Sequence, residues 1–221
     1  MGARYDFHTH SLLSDGELLP IESIRRAKAF GYKAIAITDH IGADDPAPML
    51  RTLRSECVMA EEAWGIRALY GVELTHVPAR FISRVAERAR KAGAQVIVVH
   101  GETLVEPVEK GTNWAALNSD IDILAHPGML APREAELAAK RGIFLELTSR
   151  AGHAYTNGRV AAVGRAAGAS FLVNSDSHTP EDMMVSEMAA KVGGGAGLAP
   201  AELKKALFDS PRRLLERSGK R

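Results

Sequence analysis

Histidines and carboxylates recur at the ends of short apolar runs along this chain. His8 and His10 follow the run 5–7, His40 follows 34–38, and Glu73 follows 68–72. His100 closes Val96-Ile97-Val98-Val99, His126 closes 121–125, and Asp176 and His178 come just after 171–174. Six of the eight histidines stand at such ends. Imidazole nitrogen and carboxylate oxygen suit Zn²⁺, Mn²⁺ or Fe²⁺. In His8-Thr9-His10 and Asp176-Ser177-His178 the paired residues are two apart, so on a strand they share a face. Asp15, in Ser14-Asp15-Gly16, either returns to the same place or serves as a turn residue. Any one of these positions alone reads as a hydrogen-bonded polar residue. Together they make nine candidate ligands, more than one tetrahedral ion can use. The set is expected to hold two or three divalent ions, with Glu73 or Asp176 placed to bridge. Such ions acidify a bound water, giving a metal-bound hydroxide at neutral pH, and hold charged phosphoryl oxygens. Hydrolysis of a phosphate ester is the task this chemistry fits.

Convergence of such distant residues requires a particular scaffold. Strand-like runs alternate with helix-like runs: strands are expected at 5–8, 34–38, 68–73, 96–99, 121–125, 143–147 and 171–174. Helical spacing marks 21–30, 49–64, 80–92, 132–141 and 157–167, several of them stopped by Gly31, Gly65 or Gly93. Closing helices are expected at 180–191, 200–208 and 211–217, with Gly193-Gly194-Gly195 as a flexible loop between them. Four consecutive β-branched residues at 96–99 read as a parallel strand covered on both sides. Seven β-α steps argue for a closed parallel α/β barrel, with an open sheet as the alternative. A barrel gathers all strand ends on one rim. No linker interrupts 1–221, so a single domain is expected.

Composition restricts the partners. Apolar residues make up 46% and charged residues 25%, with a net charge of +1, so no global field points to nucleic acid or an acidic membrane. Basic residues near the C-terminus (Lys204, Lys205, Arg212, Arg213, Arg217, Lys220, Arg221) read as a solvated helix face and a frayed tail. Cys57 is the single cysteine, which rules out an internal disulfide, fits a reducing cytosol and suggests a core filler. No leader-like stretch precedes Tyr5, and no apolar run reaches the ~20 residues of a membrane span. A cytoplasmic protein with a small phosphorylated substrate is expected, with neither membrane nor nucleic acid as partner. The sequence carries no signal for an oligomeric state.

The ordered series His-x-His with Ser-Asp-Gly, Thr38-Asp39-His40, Gly71-Val72-Glu73, His100, Ala125-His126-Pro127-Gly128 and Ser175-Asp176-Ser177-His178 resembles the polymerase-and-histidinol-phosphatase (PHP) family of metal-dependent phosphoesterases. The resemblance runs from His8 to His178 and is strongest to its histidinol-phosphatase-like branch. It implies a distorted seven-stranded (β/α)7 TIM-like barrel. It also implies one ion at His8, His10, Glu73 and Asp176, a second reached by Glu73 and held by His100 and His126, and a third at Asp15, His40 and His178. Some family members carry histidine where this chain has Asp15. Asp39 is expected to orient a ligand rather than to be one.

Other polar residues have two readings each. Arg150 holds substrate phosphate with its planar fork or makes a surface ion pair. Glu102 touches substrate or is a loop carboxylate. His178, His153 and His76 are candidates to protonate the leaving oxygen, with Asp176 beside them, or are simply solvated. Glu146 faces either into the barrel or outward, and Trp64 and Trp114 read as packing residues. The expected reaction is phosphomonoester hydrolysis, with histidinol phosphate or a nucleotide as substrate. An amidohydrolase or deoxyribonuclease of the His-x-His type is the alternative, although His100 stands where amidohydrolases commonly use lysine. A ribonucleoprotein barrel subunit is the non-enzymatic alternative.

Overall fold

A computed structural model describes residues 3–219 of the chain. Eight strands lie among them: β1 Arg4–Asp6, β2 Tyr32–Ile37, β3 His40–Ile41, β4 Arg67–Leu74, β5 Val96–His100, β6 Ile123–Ala125, β7 Phe144–Thr148 and β8 Phe171–Asn174. All pairings are parallel, in the order β1-β2-β4-β5-β6-β7-β8, with β3 beside β4. The two-residue β3 extends β2 past a break: Ile37 stands opposite Tyr70, and three residues on His40 stands opposite Glu73. Counting β2 and β3 as one staggered strand leaves the seven parallel strands of a nearly closed α/β barrel.

Helices cover the outside, among them α1 Pro20–Ala29, α2 Ala47–Trp64, α3 Ile82–Lys91, α4 Thr112–Leu117, α5 Pro132–Arg141 and α6 Asn157–Ala166. Strand parity sorts the apolar residues. Tyr5, Phe7, Ala34, Val98 and Phe144 fill the barrel interior, and Leu214 plugs its lower end. Ile35, Ile97 and Leu145 face outward onto the helices. Cys57 is one of these outward-facing contacts, and burial pushes its thiol up.

Among the described residues, β1 and β8 share no ladder. Side chains close this seam instead. Arg4 donates to the carbonyls of Val173 (2.9 Å) and Met184 (3.3 Å), and Asn174 Oδ1 accepts from the amide of Phe7 at 3.1 Å. Backbone contact resumes only above the strands, where the amide of Asp176 donates to His8 O (3.0 Å) and that of His10 to Ser177 O (2.8 Å). The barrel is thus cinched at the level of the His-x-His and Asp-x-His segments.

The C-terminal third departs from expectation. The helix expected at 180–191 is broken: a short turn at Pro180–Asp182 is followed by buried Met183 and Met184, and α7 Ser186–Gly195 starts afterwards. Two apolar side chains drawn into the core interrupt the helical path. Gly193, Gly194 and Gly195 form the last turn of α7 rather than a loop. A Cβ on Gly193 would meet Leu203 Cδ1 at 2.5 Å, so glycine there permits close packing. Helix α8 Pro200–Lys204 runs through a wider turn, Lys205–Asp209, into α9 Ser210–Ser218. The expected solvated basic face is partly docked: Arg213 and Arg217 both lie over the Phe144 ring, at 5.5 and 5.7 Å, and Arg217 donates to Gly142 O at 2.7 Å. Lys220 and Arg221 lie outside the described residues. No helix among the described residues is long and apolar enough to cross a membrane.

Candidate metal centre

The strand ends open into one cavity of about 460 Å³, lined by residues that include Glu73, His100, His126, His153, Asp176 and His178. Glu73, at the end of β4, is its hub. Its Oε2 lies 3.3 Å from His8 Nε2, 3.5 Å from His10 Nε2 and 2.8 Å from His40 Nδ1, and its Oε1 lies 3.7 Å from His126 Nε2. Asp176 reaches the same imidazoles from β8, at 3.3 Å from His10 Nε2 and 3.6 Å from both His8 Nε2 and His126 Nε2. On one flank, His10, His40, His178 and Asp15 bring donor atoms within 4.8 Å of one another. On the other, His100, His126 and His153 do the same. The chain therefore gathers all nine sequence-derived candidate ligands around one mouth.

The residues fit cations. His8 Nε2, both nitrogens of His10, His126 Nδ1 and Glu73 Oε1 are buried with no well-formed hydrogen bond in the chain. Leaving such groups unpaired costs about 1–3 kcal/mol each, more for charged ones. A divalent ion with N/O preference would satisfy them together.

The electrostatics carry the same imbalance. Burial opposes a charge on His8, yet the carboxylates of Glu146, Glu73 and Asp176 hold its pKa well above the ordinary histidine value. Burial and the neighbouring His40 hold His10 well below that value, and burial with His100 does the same to His126. Burial, reinforced by Glu73 and Glu146, pushes Asp176 up to about 8. Glu73 goes the other way: burial raises it, but His8 and His40 hold it well below the carboxylate range.

Supporting contacts fix these groups. Glu146 faces into the barrel, where Oε1 pairs with His8 Nδ1 at 2.8 Å and accepts from Asn174 Nδ2 at 2.9 Å. This contact orients His8, leaving Nε2 for the cavity. The hydrogen bonds of the Asp39 side chain go to serines. Its carboxylate accepts from Ser11 N, Ser11 Oγ and Ser14 Oγ, at 2.7, 2.7 and 2.6 Å, and so anchors the loop that carries Asp15. Backbone strain is concentrated here as well. The non-glycine residues with positive φ among the described residues are His76, His126 and Asp176, and all three line the cavity.

The remaining candidates divide. Arg150 lines the cavity but is paired with Asp182 at 3.2 Å, and Asp182 also accepts from the amides of His178 and Thr179. His153 is buried in a short turn, its ring stacked on His126 at 4.2 Å, with burial lowering its pKa. Glu102 is a correction: it does not line the cavity, because its Oε1 accepts from the amides of Gly111 (2.9 Å) and Asn113 (3.0 Å) at the start of α4. Trp64 packs on the core near α1, while Trp114 is 42% exposed beneath Arg133. The residue that sequence reasoning missed is Glu106. It lies on the loop after β5, and its carboxylate is 3.1 Å from His100 Nε2, 3.0 Å from His76 Nε2 and 3.3 Å from His153 Nε2. The hydrogen bond with His100 lowers its pKa to about 2. Nothing in its neighbourhood, Val105-Glu106-Pro107, has the strand-end pattern that marked the other ligands.

The PHP domain model matches residues 6–103. An uncharacterized protein of Methanocaldococcus jannaschii is 46% identical over 97% of this chain and 99% of its own length. A probable phosphatase of Edwardsiella ictaluri is 29% identical over 96% of this chain and 92% of its own. Among solved structures, a Bacteroides vulgatus two-domain protein, described as containing a predicted PHP-like metal-dependent phosphoesterase, superposes with a TM-score of 0.51 at 17% identity, covering 99% of this chain and 69% of that one. An amidohydrolase superposes with a TM-score of 0.62 at 11% identity over 100% of this chain and 75% of that one, a likeness of fold alone.

Proposed function

We propose that this chain, which belongs to the PHP domain family, is a metal-dependent phosphoesterase whose substrate is a small phosphate monoester. The observation that carries the reading is the Glu73 carboxylate, buried among His8, His10, His40 and His126, with buried donors around it that have no partner in the chain. His8, His10, Glu73 and Asp176 would hold one ion, His100 and His126 a second, and Asp15, His40 and His178 a third. Zn²⁺, Mn²⁺ and Fe²⁺ suit these donors, since no thiolate reaches the cavity. When bound, such ions supply an acidified water and a positive field for phosphoryl oxygens.

The chain's own groups do the rest. Arg150, already at the wall, exchanges Asp182 for a phosphate oxygen, a contact its fork is shaped to make. His178, whose Nε2 is 3.3 Å from Asp15, would deliver a proton to the leaving alkoxide when the third position holds no ion. A cavity of about 460 Å³ suits a small molecule and favours a monoester over a polymer end. Histidinol phosphate and nucleotide monophosphates are the first compounds to test. The deciding experiment measures the protein's metals and then screens it against phosphomonoesters, an amide and a short DNA with Mn²⁺ or Zn²⁺ added. Turnover confined to monoesters is expected. Turnover of the amide or the DNA instead, or of nothing by a metal-loaded sample, overturns the reading.

A further inference from the structure

We infer that Glu106 and His153 are cation ligands, completing the position at His100 and His126. His100, His126 and His153 bring nitrogens within 4.8 Å of one another, from the ends of β5 and β6 and from the turn after β7. Their ring centroids stand 4.2 Å (His126–His153), 4.5 Å (His100–His126) and 5.7 Å (His100–His153) apart. His126 Nδ1 is buried without a partner. His153 Nδ1 pairs with Thr103 Oγ1 at 2.7 Å, which leaves Nε2 for the cavity. Glu106 reaches two of these imidazoles, its two oxygens 3.3 Å from His153 Nε2 and 3.1 Å from His100 Nε2.

His76 is a positioning residue for this carboxylate, meeting Glu106 Oε2 at 3.0 Å from a backbone held at φ 52°. The loop is seated for the purpose. A Cβ on Gly152, next to His153, would meet Val105 Cγ1 at 3.0 Å, and the amide of Ala79 donates to Glu109 Oε2 at 3.0 Å. Three imidazoles and one carboxylate make a nitrogen-rich position. It selects a first-row transition ion over Mg²⁺ or Ca²⁺, which prefer oxygen.

This inference rests on the proposed reading only in that the rim holds cations. Its test uses no ester, so inactivity on every ester would remove that reading and leave this one standing. The full chain, stripped by chelator, is titrated calorimetrically with Mn²⁺, Zn²⁺ and Co²⁺ alone, and bound metal is counted by elemental analysis. Glu106→Gln and His153→Asn are each expected to lose one bound ion, or to weaken one class of site by at least ~10-fold. His76→Ala weakens the same class less. Asp15→Asn removes a different class, and the Asp15→Asn/Glu106→Gln double variant loses both. Ions retained by each single variant report that it is folded. Should Glu106→Gln bind nothing at all, Glu106→Asp replaces it and must weaken the same class. Stoichiometry and affinities equal to the parent in the Glu106 and His153 variants overturn the assignment. So does a Co²⁺ visible spectrum unchanged by Glu106→Gln.

Discussion

Two buried ionic clusters share the barrel, and they are completed differently. At the seam, Arg4 and Asp6 are both buried and 2.7 Å apart. The remaining donors of Arg4 go to backbone carbonyls, Asp6 Oδ1 accepts from Ser175 N at 3.1 Å, and Tyr32 donates to Met184 O at 2.7 Å. At the rim, Glu73, Asp176 and Glu146 are equally buried, but no lysine or arginine stands among them. Arg4 is the one buried lysine or arginine among the described residues, and Arg150, on the cavity wall, is already paired with Asp182. Buried charge is stable only when paired and hydrogen-bonded. The seam is paired by an arginine of the chain, whereas the rim has only its own histidines, His8 above all, to offset three buried carboxylates until a cation is bound.

The largest expected effect follows from that difference. A ligand present at 100 times its Kd stabilises the folded state by about 2.7 kcal/mol per site. With a chain of this size, each kcal/mol moves Tm by roughly 2–4 °C. Zn²⁺ or Mn²⁺ should therefore raise Tm by several degrees per site over the chelated protein, as read by calorimetry. A Tm indifferent to chelator would erase the contrast between the two clusters.

Second in size is the seam itself. Arg4→Met leaves Asp6 buried without its partner and is expected to cost about 3–5 kcal/mol in urea unfolding. Replacing Asp6 by leucine as well should recover much of that loss. Neither change should alter the number of ions bound. If Arg4→Met lowers the ion count in a folded sample, the two clusters are not independent.

The rim half of this contrast is legible in the sequence. His8, His10, His40, His100, His126 and His178 stand out because parallel strands end at one rim, so apolar run length alone locates them. Glu146 was ambiguous for a physical reason: residues 144–147 are buried on both faces, so alternation does not reveal which parity points inward. The interior position of Phe144, visible only in the fold, settles it, since residues two apart share a face. The break at Met183 was illegible because local helical spacing continues while long-range packing overrides it. Glu106 carried no signal at all. An irregular loop has no period, and the seam, made by side chains meeting across the chain's two ends, has none either.

A third expectation turns on pH. The Asp176 carboxyl is raised by burial to about 8 in the folded, cation-free state, against an ordinary value of 3.8. Between those values the folded state holds a proton that the unfolded state has released. Asp176's own contribution to the stability of the cation-free protein should then fall as pH rises from about 4 to about 8, opposed by His10 and His126, whose lowered pKa values favour the folded state at higher pH. Asp176→Asn removes that penalty, so it should stabilise the chelated protein at pH 8 and weaken the ion-loaded one. Denaturation in chelator and in Mn²⁺, at pH 5 and pH 8, reads all four cases. A variant less stable than the parent in chelator at pH 8 would mean that the carboxylate is already paired within the chain.

The smallest effect separates two glutamates in one loop. Glu102 and Glu106 look alike in sequence, but Glu102 accepts from the amides of Gly111 and Asn113 while Glu106 faces three imidazoles. Glu102 thus behaves as a helix cap, whose removal costs about 1 kcal/mol. The loop also has little room to adjust, because Gly128 has φ 62° and a Cβ there would collide with Glu102 O. Glu102→Ala should therefore lower unfolding stability by about 1 kcal/mol and leave bound metal unchanged. Glu106→Gln should do the reverse, lowering metal content while changing stability in chelator by less than Glu102→Ala does. If Glu102→Ala sheds an ion from a folded chain, the loop acts as one unit and Glu106 owes its place to the cap.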